Sequence, residues 1–156
     1  VAGIVGMGKA ADLAMAHLPG EGRIALLRDR LEEGILKRFN NVSLNGSREK
    51  RVPNTTNVGF EFIEGEALLL YLNEKGIAAS SGSACSSGSL DPSHVLRAMG
   101  VPFTSAHGSI RFSLSTFTKE EDVDYTLEVL PQIVDRLLEI SPFWDNEKKC
   151  GKPMAV

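Results

Sequence analysis

Cysteine is scarce in this chain: 156 residues contain two, Cys85 and Cys150, 65 positions apart. That spacing excludes a disulfide framework and any CxxC-type metal site, and it favours a reducing, cytoplasmic setting. No run of Lys and Arg is longer than two, and the net charge is −3, so a nucleic-acid-binding surface is not expected. No apolar run approaches the ~20 residues that a membrane span requires. The start lacks Met, and it lacks the charged region and cleavage site of a signal peptide. The expectation is a piece of a longer protein. What is present is ordinary for a globular domain: 42% hydrophobic and 24% charged residues, enough chain for one core.

The periodicities predict helices and strands in mixed order. Residues 1–18 are rich in Ala, Met and Leu, and Gly3 and Gly6 suggest close packing against a neighbouring helix; Pro19-Gly20 ends the segment. Residues 21–39 place Ile24, Leu27, Leu31, Ile35 and Phe39 on one helical face. A short strand and a polar loop follow. Residues 56–63 alternate Val58, Phe60 and Phe62 against Asn57, Gly59 and Glu61, a half-buried strand. A Leu-rich helix runs from about residue 64 to 75 with Gly76 as its C-cap. Residues 77–79 read as a short strand, and Asp91-Pro92 as the start of a helix reaching Met99. Residues 109–114 form a strand with Ile110, Phe112 and Leu114 on one face and Arg111 on the other; Thr118-Lys-Glu-Glu reads as a capping box for a helix to about Ile140. The tail after Trp144 is polar and expected to be loose. The sum is an α+β fold with three or four strands and helices on one face.

The segment 80–91 carries the chemistry: Ser-Ser-Gly-Ser-Ala-Cys-Ser-Ser-Gly-Ser-Leu-Asp sets Cys85 among two glycines and six serines. A structural cysteine usually occupies an apolar niche. A thiol in a polar, Gly/Ser-rich loop has the access that a nucleophile needs, while its activation must come from elsewhere. Arg111, flanked by apolar residues, has two readings: the solvent face of an edge strand, or a guanidinium held on a rigid strand to grip a carboxylate through two hydrogen bonds. His94 reads as polar packing in a first helical turn, His107 as a turn residue or a site residue, and His17 as a surface position. Residues 3–9 mimic a phosphate loop, but Ala10 replaces the hydroxyl that would hold magnesium, so helix packing is the reading. Cys150 is read as a bystander in the tail.

Several stretches together resemble the NifS/IscS-type cysteine desulfurases. They are Ser81-Gly-Ser-Ala-Cys85-Ser-Ser-Gly-Ser-Leu-Asp-Pro-Ser-His-Val-Leu-Arg97, Ala106-His-Gly-Ser-Ile-Arg111-Phe-Ser-Leu, Val52-Pro-Asn-Thr-Thr-Asn-Val with Ile63-Glu-Gly-Glu-Ala, and Ser141-Pro-Phe-Trp144. Details such as Gly76-Ile-Ala-Ala-Ser-Ser-Gly lean toward the NifS branch. The resemblance implies the class-V aminotransferase fold, with 1–18 a junction helix from a large domain, 19–144 the C-terminal small domain and 145–156 a flexible tail. It implies a pyridoxal 5'-phosphate enzyme that converts L-cysteine to L-alanine for iron–sulfur cluster assembly. By position, Cys85 would be the nucleophile and persulfide carrier, and a transient iron–sulfur ligand through that persulfide. Arg111 would anchor the substrate carboxylate. Ser81, Gly82, Ser83, Ala84, Ser86 and Gly88 would form the mobile loop.

The same resemblance implies an iron–sulfur scaffold protein as partner and a homodimer. The family's Ser-His-Lys segment, which carries the cofactor lysine, does not occur here. Cofactor-binding residues are therefore expected outside this chain, and the chain by itself is expected to be inactive. Thr116 stands where the family often has arginine. Two other readings stay open: a non-enzymatic persulfide carrier or redox-sensing thiol module, and a selenocysteine lyase on the same scaffold.

Overall fold

The computed structural model describes residues 1–81, 93–148 and 150–151. Its elements are α1 (Ala2–His17), a 3-10 turn (Leu18–Gly20), α2 (Glu21–Arg38), β1 (Val42–Leu44), β2 (Thr55–Phe60) and α3 (Gly65–Glu74). There follow β3 (Ser80–Ser81), α4 (His94–Ala98), α5 (Phe103–His107), β4 (Ser109–Ser113), α6 (Glu120–Ile140), β5 (Trp144–Asp145) and β6 (Cys150–Gly151). Four strands form an antiparallel sheet in the order β1-β2-β4-β3, and β5 and β6 pair as a separate hairpin. This is the expected α+β architecture.

The alternation of β2 and β4 divides the sheet into two unlike faces. Val58 and Phe60 on β2 and Ile110 and Phe112 on β4 turn inward, together with Leu114 just beyond β4. Ile24, Leu27, Leu31 and Ile35 of α2 meet them, with Leu68 and Leu72 of α3 and Leu130, Ile133, Val134 and Leu137 of α6. Helices α2, α3 and α6 thus lie on one face, each presenting an apolar stripe of period 3.6. Phe60, Ile35 and Leu68 are fully buried. Burial of each such side chain contributes about 1.5–3 kcal/mol. Helices α2 and α6 approach closely at Gly34, where a Cβ would fall 2.6 Å from the Leu127 side chain.

Pro131 sits inside α6. Lacking an N–H, it leaves the carbonyl of Leu127 without its helical donor. Arg38 Nη1, at the end of α2, donates to that carbonyl instead. A missing backbone hydrogen bond in one helix is thereby replaced by a side chain from its neighbour.

Several local expectations are corrected. Residues 77–79 are not a strand. Gly76 adopts φ 74°, Ile77 N–H returns to Leu72 O at 2.9 Å, and pairing with β4 begins only at Ser80. Strand β2 stops at Phe60, because Phe62 takes φ 66° and Glu61 N–H bonds Asn41 O. Thr118 does not cap α6: its hydroxyl accepts the Ser115 N–H, while the Asp122 carboxylate accepts the Lys119 N–H at the helix start. Asp91 and Pro92 lie outside the described residues, and α4 spans His94–Ala98. No residue of α1 is buried, so the close packing expected of its glycines has no partner among the described residues. The polar tail begins with the β5–β6 hairpin, which Trp144 seats against the Phe62 ring at 5.7 Å between centroids.

Candidate functional site

The outer face of the sheet is polar. Direct cross-strand partners share a face, and Asn57 on β2 is paired with Arg111 on β4, which is paired with Ser80 on β3. Asn45, one residue past β1, continues the line through its N–H to Asn57 O at 2.9 Å. The row Asn45, Asn57, Arg111, Ser80 therefore crosses all four strands. Arg111 is exposed, and its guanidinium has no hydrogen-bond or carboxylate partner among the described residues. Arg28, Arg30 and Arg51 each engage an acid and Arg23 holds two carbonyls, whereas Arg48 and Arg97, like Arg111, have no side-chain hydrogen bond or ion pair among the described residues.

Helix α5 covers the next row. A Cβ on Gly59 would fall 2.2 Å from Ser105 Oγ, so only glycine lets α5 lie flat on β2. Ser105 Oγ bonds Ser43 Oγ at 2.9 Å, and Ser109 Oγ donates to Ser105 O at 2.7 Å. The α5 helix thus closes one end of the polar face and leaves the Arg111 row open.

Beneath the sheet, a buried ionic cluster holds the segment that leads into β2. Glu32 Oε2 accepts Arg51 Nη1 at 2.5 Å and the Thr56 hydroxyl at 2.6 Å, and Glu32 Oε1 accepts Arg51 Nη2 at 3.1 Å. Burial pushes the Glu32 carboxyl up. The hydrogen bonds from Arg51 and Thr56 and the Arg51 charge outweigh that and hold it below the usual carboxylate range. The carboxylate of Glu32 in turn raises Arg51. Thr56 adjoins Asn57 in sequence, so this cluster fixes the strand on which the polar row depends.

The remaining candidates fall out as follows. Ser81 is in β3, on the edge of the sheet, while Gly82, Ser83, Ala84, Cys85, Ser86 and Gly88 lie outside the described residues. The segment holding Cys85 continues directly from the strand paired with Arg111. Cys85 is four residues beyond Ser81, a span of at most about 14 Å of chain. His107 ends α5 and stacks on Phe103 at 5.6 Å, His94 is exposed at the start of α4, and His17 is exposed at the end of α1. Residues 3–9 are helical, which removes the phosphate-loop geometry. Cys150 is exposed in β6, and the carbonyl of Thr116 accepts Arg23 Nη2 at 2.9 Å. Asn57 and Asn45 were not singled out by the sequence; their strand alternation was visible, their register with Arg111 was not.

The sequence profile of the aminotransferase class-V family matches residues 1–126. The chain belongs to the class-V aminotransferase family. Curated relatives of this class-V chain include a cysteine desulfurase of Klebsiella pneumoniae, 58% identical over 98% of the chain, and one of Gluconacetobacter diazotrophicus, 60% identical over 94%. The chain spans 38% and 37% of the length of those two relatives. Among solved structures, a NifS-like protein matches with a TM-score of 0.74 at 33% identity, covering 86% of this chain and 34% of the other. A NifS-like protein of Rickettsia africae matches with a TM-score of 0.73 at 32% identity, covering 85% of this chain and 34% of the other.

The family implies pyridoxal phosphate, and the residues present do not fit it. A Schiff-base lysine has to be held where substrate arrives, yet every described lysine is solvent-exposed and none stands in the Arg111 row. The row fits an anion, a carboxylate above all, and not an aldehyde. Among the described residues no group of three or more His, Cys, Asp or Glu side chains is placed to hold a metal ion, and no helix is long and apolar enough to cross a membrane.

Proposed function

We propose that this chain is the substrate-anchoring and sulfur-accepting part of a cysteine desulfurase. The observation that carries the reading is the pairing of Ser80 with Arg111: the strand leading into the Cys85 segment is hydrogen-bonded to the strand presenting a guanidinium that is unpaired among the described residues. The cysteine desulfurase relatives, matched over nearly the whole chain, support the same reaction class. In this reading Arg111 grips the carboxylate of L-cysteine bidentately and so fixes one end of the substrate. The Cys85 thiolate takes the substrate sulfur. The substrate Cβ–Sγ bond breaks, an S–S bond forms on Cys85, and Cβ gains a proton and the bonding electron pair, giving L-alanine and a Cys85 persulfide. Pyridoxal phosphate bound by residues outside this chain would supply an electron sink for such a cleavage.

The persulfide then passes to an iron–sulfur scaffold protein, with Cys85 a transient ligand during the handover. The whole enzyme is a cytoplasmic homodimer of the NifS type, serving nitrogen fixation. The test uses the full-length protein, following alanine release and persulfide formation separately. Cys85→Ser should abolish persulfide, and Arg111→Ala should raise the KM for L-cysteine at least about tenfold, the loss of a charged hydrogen-bonded contact. Persulfide transfer that is intact in Arg111→Ala without alanine release would point to a non-enzymatic carrier.

A further inference from the structure

The hydrogen bonds around Asn57 run in one direction. The carbonyl of Ser105 only accepts, so the Ser109 hydroxyl, 2.7 Å away, donates to it. Having used its proton, Ser109 Oγ accepts from Asn45, and the Asn45 atom 2.9 Å from it is therefore the amide nitrogen. That same nitrogen donates its second hydrogen to Asn57 at 2.7 Å, which makes the Asn57 atom its oxygen. The Asn57 amide nitrogen is left as a donor, half-exposed and without a partner among the described residues. It stands on the outer face beside Arg111, its direct cross-strand partner, with Cβ atoms about 4.5–5.5 Å apart in such a pair. Two donors with no acceptor among the described residues thus lie side by side on the outer face of the sheet.

We propose that Asn57 is a second substrate-binding residue, donating to the carboxylate gripped by Arg111, with Asn45 and Ser109 as positioning residues that lock its amide orientation. The inference rests on the reading of Arg111 as the carboxylate anchor. A guanidinium alone tolerates in-plane sliding of the carboxylate; a third donor from the adjacent strand fixes its angle and rejects uncharged replacements. The ligand class is an α-amino acid with a free carboxylate.

The test compares L-cysteine with L-cysteine amide as substrates or competitive ligands of the full-length enzyme. Asn57→Asp replaces the donor by a repelling carboxylate, and Asn57→Ser shortens it. For L-cysteine, Asn57→Asp should raise KM about tenfold or more, with kcat changed less than about threefold, and leave binding of the amide nearly unchanged. Asn45→Ala, which frees the Asn57 amide to flip, should raise KM for L-cysteine by a smaller factor. If Arg111→Ala weakens L-cysteine but Asn57→Asp and Asn57→Ser do not, the inference falls and the Arg111 reading stands. Should Arg111→Ala leave L-cysteine binding unchanged, the Arg111 reading itself falls. An equal loss for the cysteine amide would make Asn57 merely structural and overturn the proposal.

Discussion

Replacing Glu32 by alanine removes the buried carboxylate that ties α2 to the segment entering β2. Glu32 is 3% exposed, and the Arg51 side chain facing it is 15% exposed. The substitution deletes two hydrogen bonds from Arg51 and one from Thr56, leaving Arg51 only Asp29 Oδ1 at 3.3 Å. The Nε of Arg51 is already buried without a partner among the described residues, so the guanidinium has little in reserve. Breaking one side of a buried pair costs about 3–5 kcal/mol. The residual Asp29 contact places Glu32→Ala near the lower end, about 3 kcal/mol, or roughly 6–12 °C in Tm for a chain of this size. Urea unfolding of the chain, followed by circular dichroism, measures it. The pH dependence gives a second arm. The folded-state carboxyl lies below its ordinary 4.5, so its stabilisation is complete above that pH and is lost as pH falls through the lowered value. The gap between wild type and Glu32→Gln should therefore shrink only in acid. A cost below about 1 kcal/mol at neutral pH, or a gap that does not change on acidification, would refute the argument.

Pro131→Ala should stabilise the chain by about 1 kcal/mol or more by restoring the donor to Leu127 O, and Arg38→Ala, costing about 1 kcal/mol in the parent, should then become nearly neutral; a double-mutant cycle reads the coupling. Gly59→Ala should cost about 1–3 kcal/mol in thermal unfolding, since its Cβ would fall 2.2 Å from Ser105 Oγ and 2.9 Å from Ser105 O. Ile35→Ala, at a fully buried position of α2, should cost about 2–5 kcal/mol in urea unfolding. On the proposed anchoring role, Arg111→Lys in the full-length protein should weaken L-cysteine more than a charge-conserving change suggests, because an ammonium cannot form the planar two-bond grip; steady-state KM measures it.

The long helices were legible because their signal is local and repeated. Ile24, Leu27, Leu31 and Ile35 repeat at helical spacing and lie where that period puts them, and the helix expected to reach about Ile140 ends there. Gly76 was readable as a C-cap and has the positive φ that role demands. The short elements were not. The five residues of α5 carry no period of their own, and their position is set by the space above Gly59. The strand expected at 77–79 moved to Ser80–Ser81 because its start depends on the exit from α3 and the register with β4, both tertiary facts. The hairpin of β5 and β6 likewise depends on the Phe62 ring, some eighty residues earlier in the chain.

By composition and motif alone, the chain declares an α+β domain, a thiol in a Ser/Gly-rich segment at Cys85, and an arginine on the polar side of a strand at Arg111. Side-chain chemistry and the periods 2 and 3.6 are properties of neighbouring residues, and a sequence displays them directly. Which side chains stand beside Arg111 is a different kind of fact. Asn57 is 54 residues away and Ser80 is 31 away, and they meet Arg111 only because β2 and β3 flank β4 in one register. A slip of one residue would put Arg111 opposite Thr56 or Val58 and turn the polar row into the core. The packed core on the other face forbids that slip, so the burial of Val58, Phe60, Ile110 and Phe112 is what decides which donors share the open face.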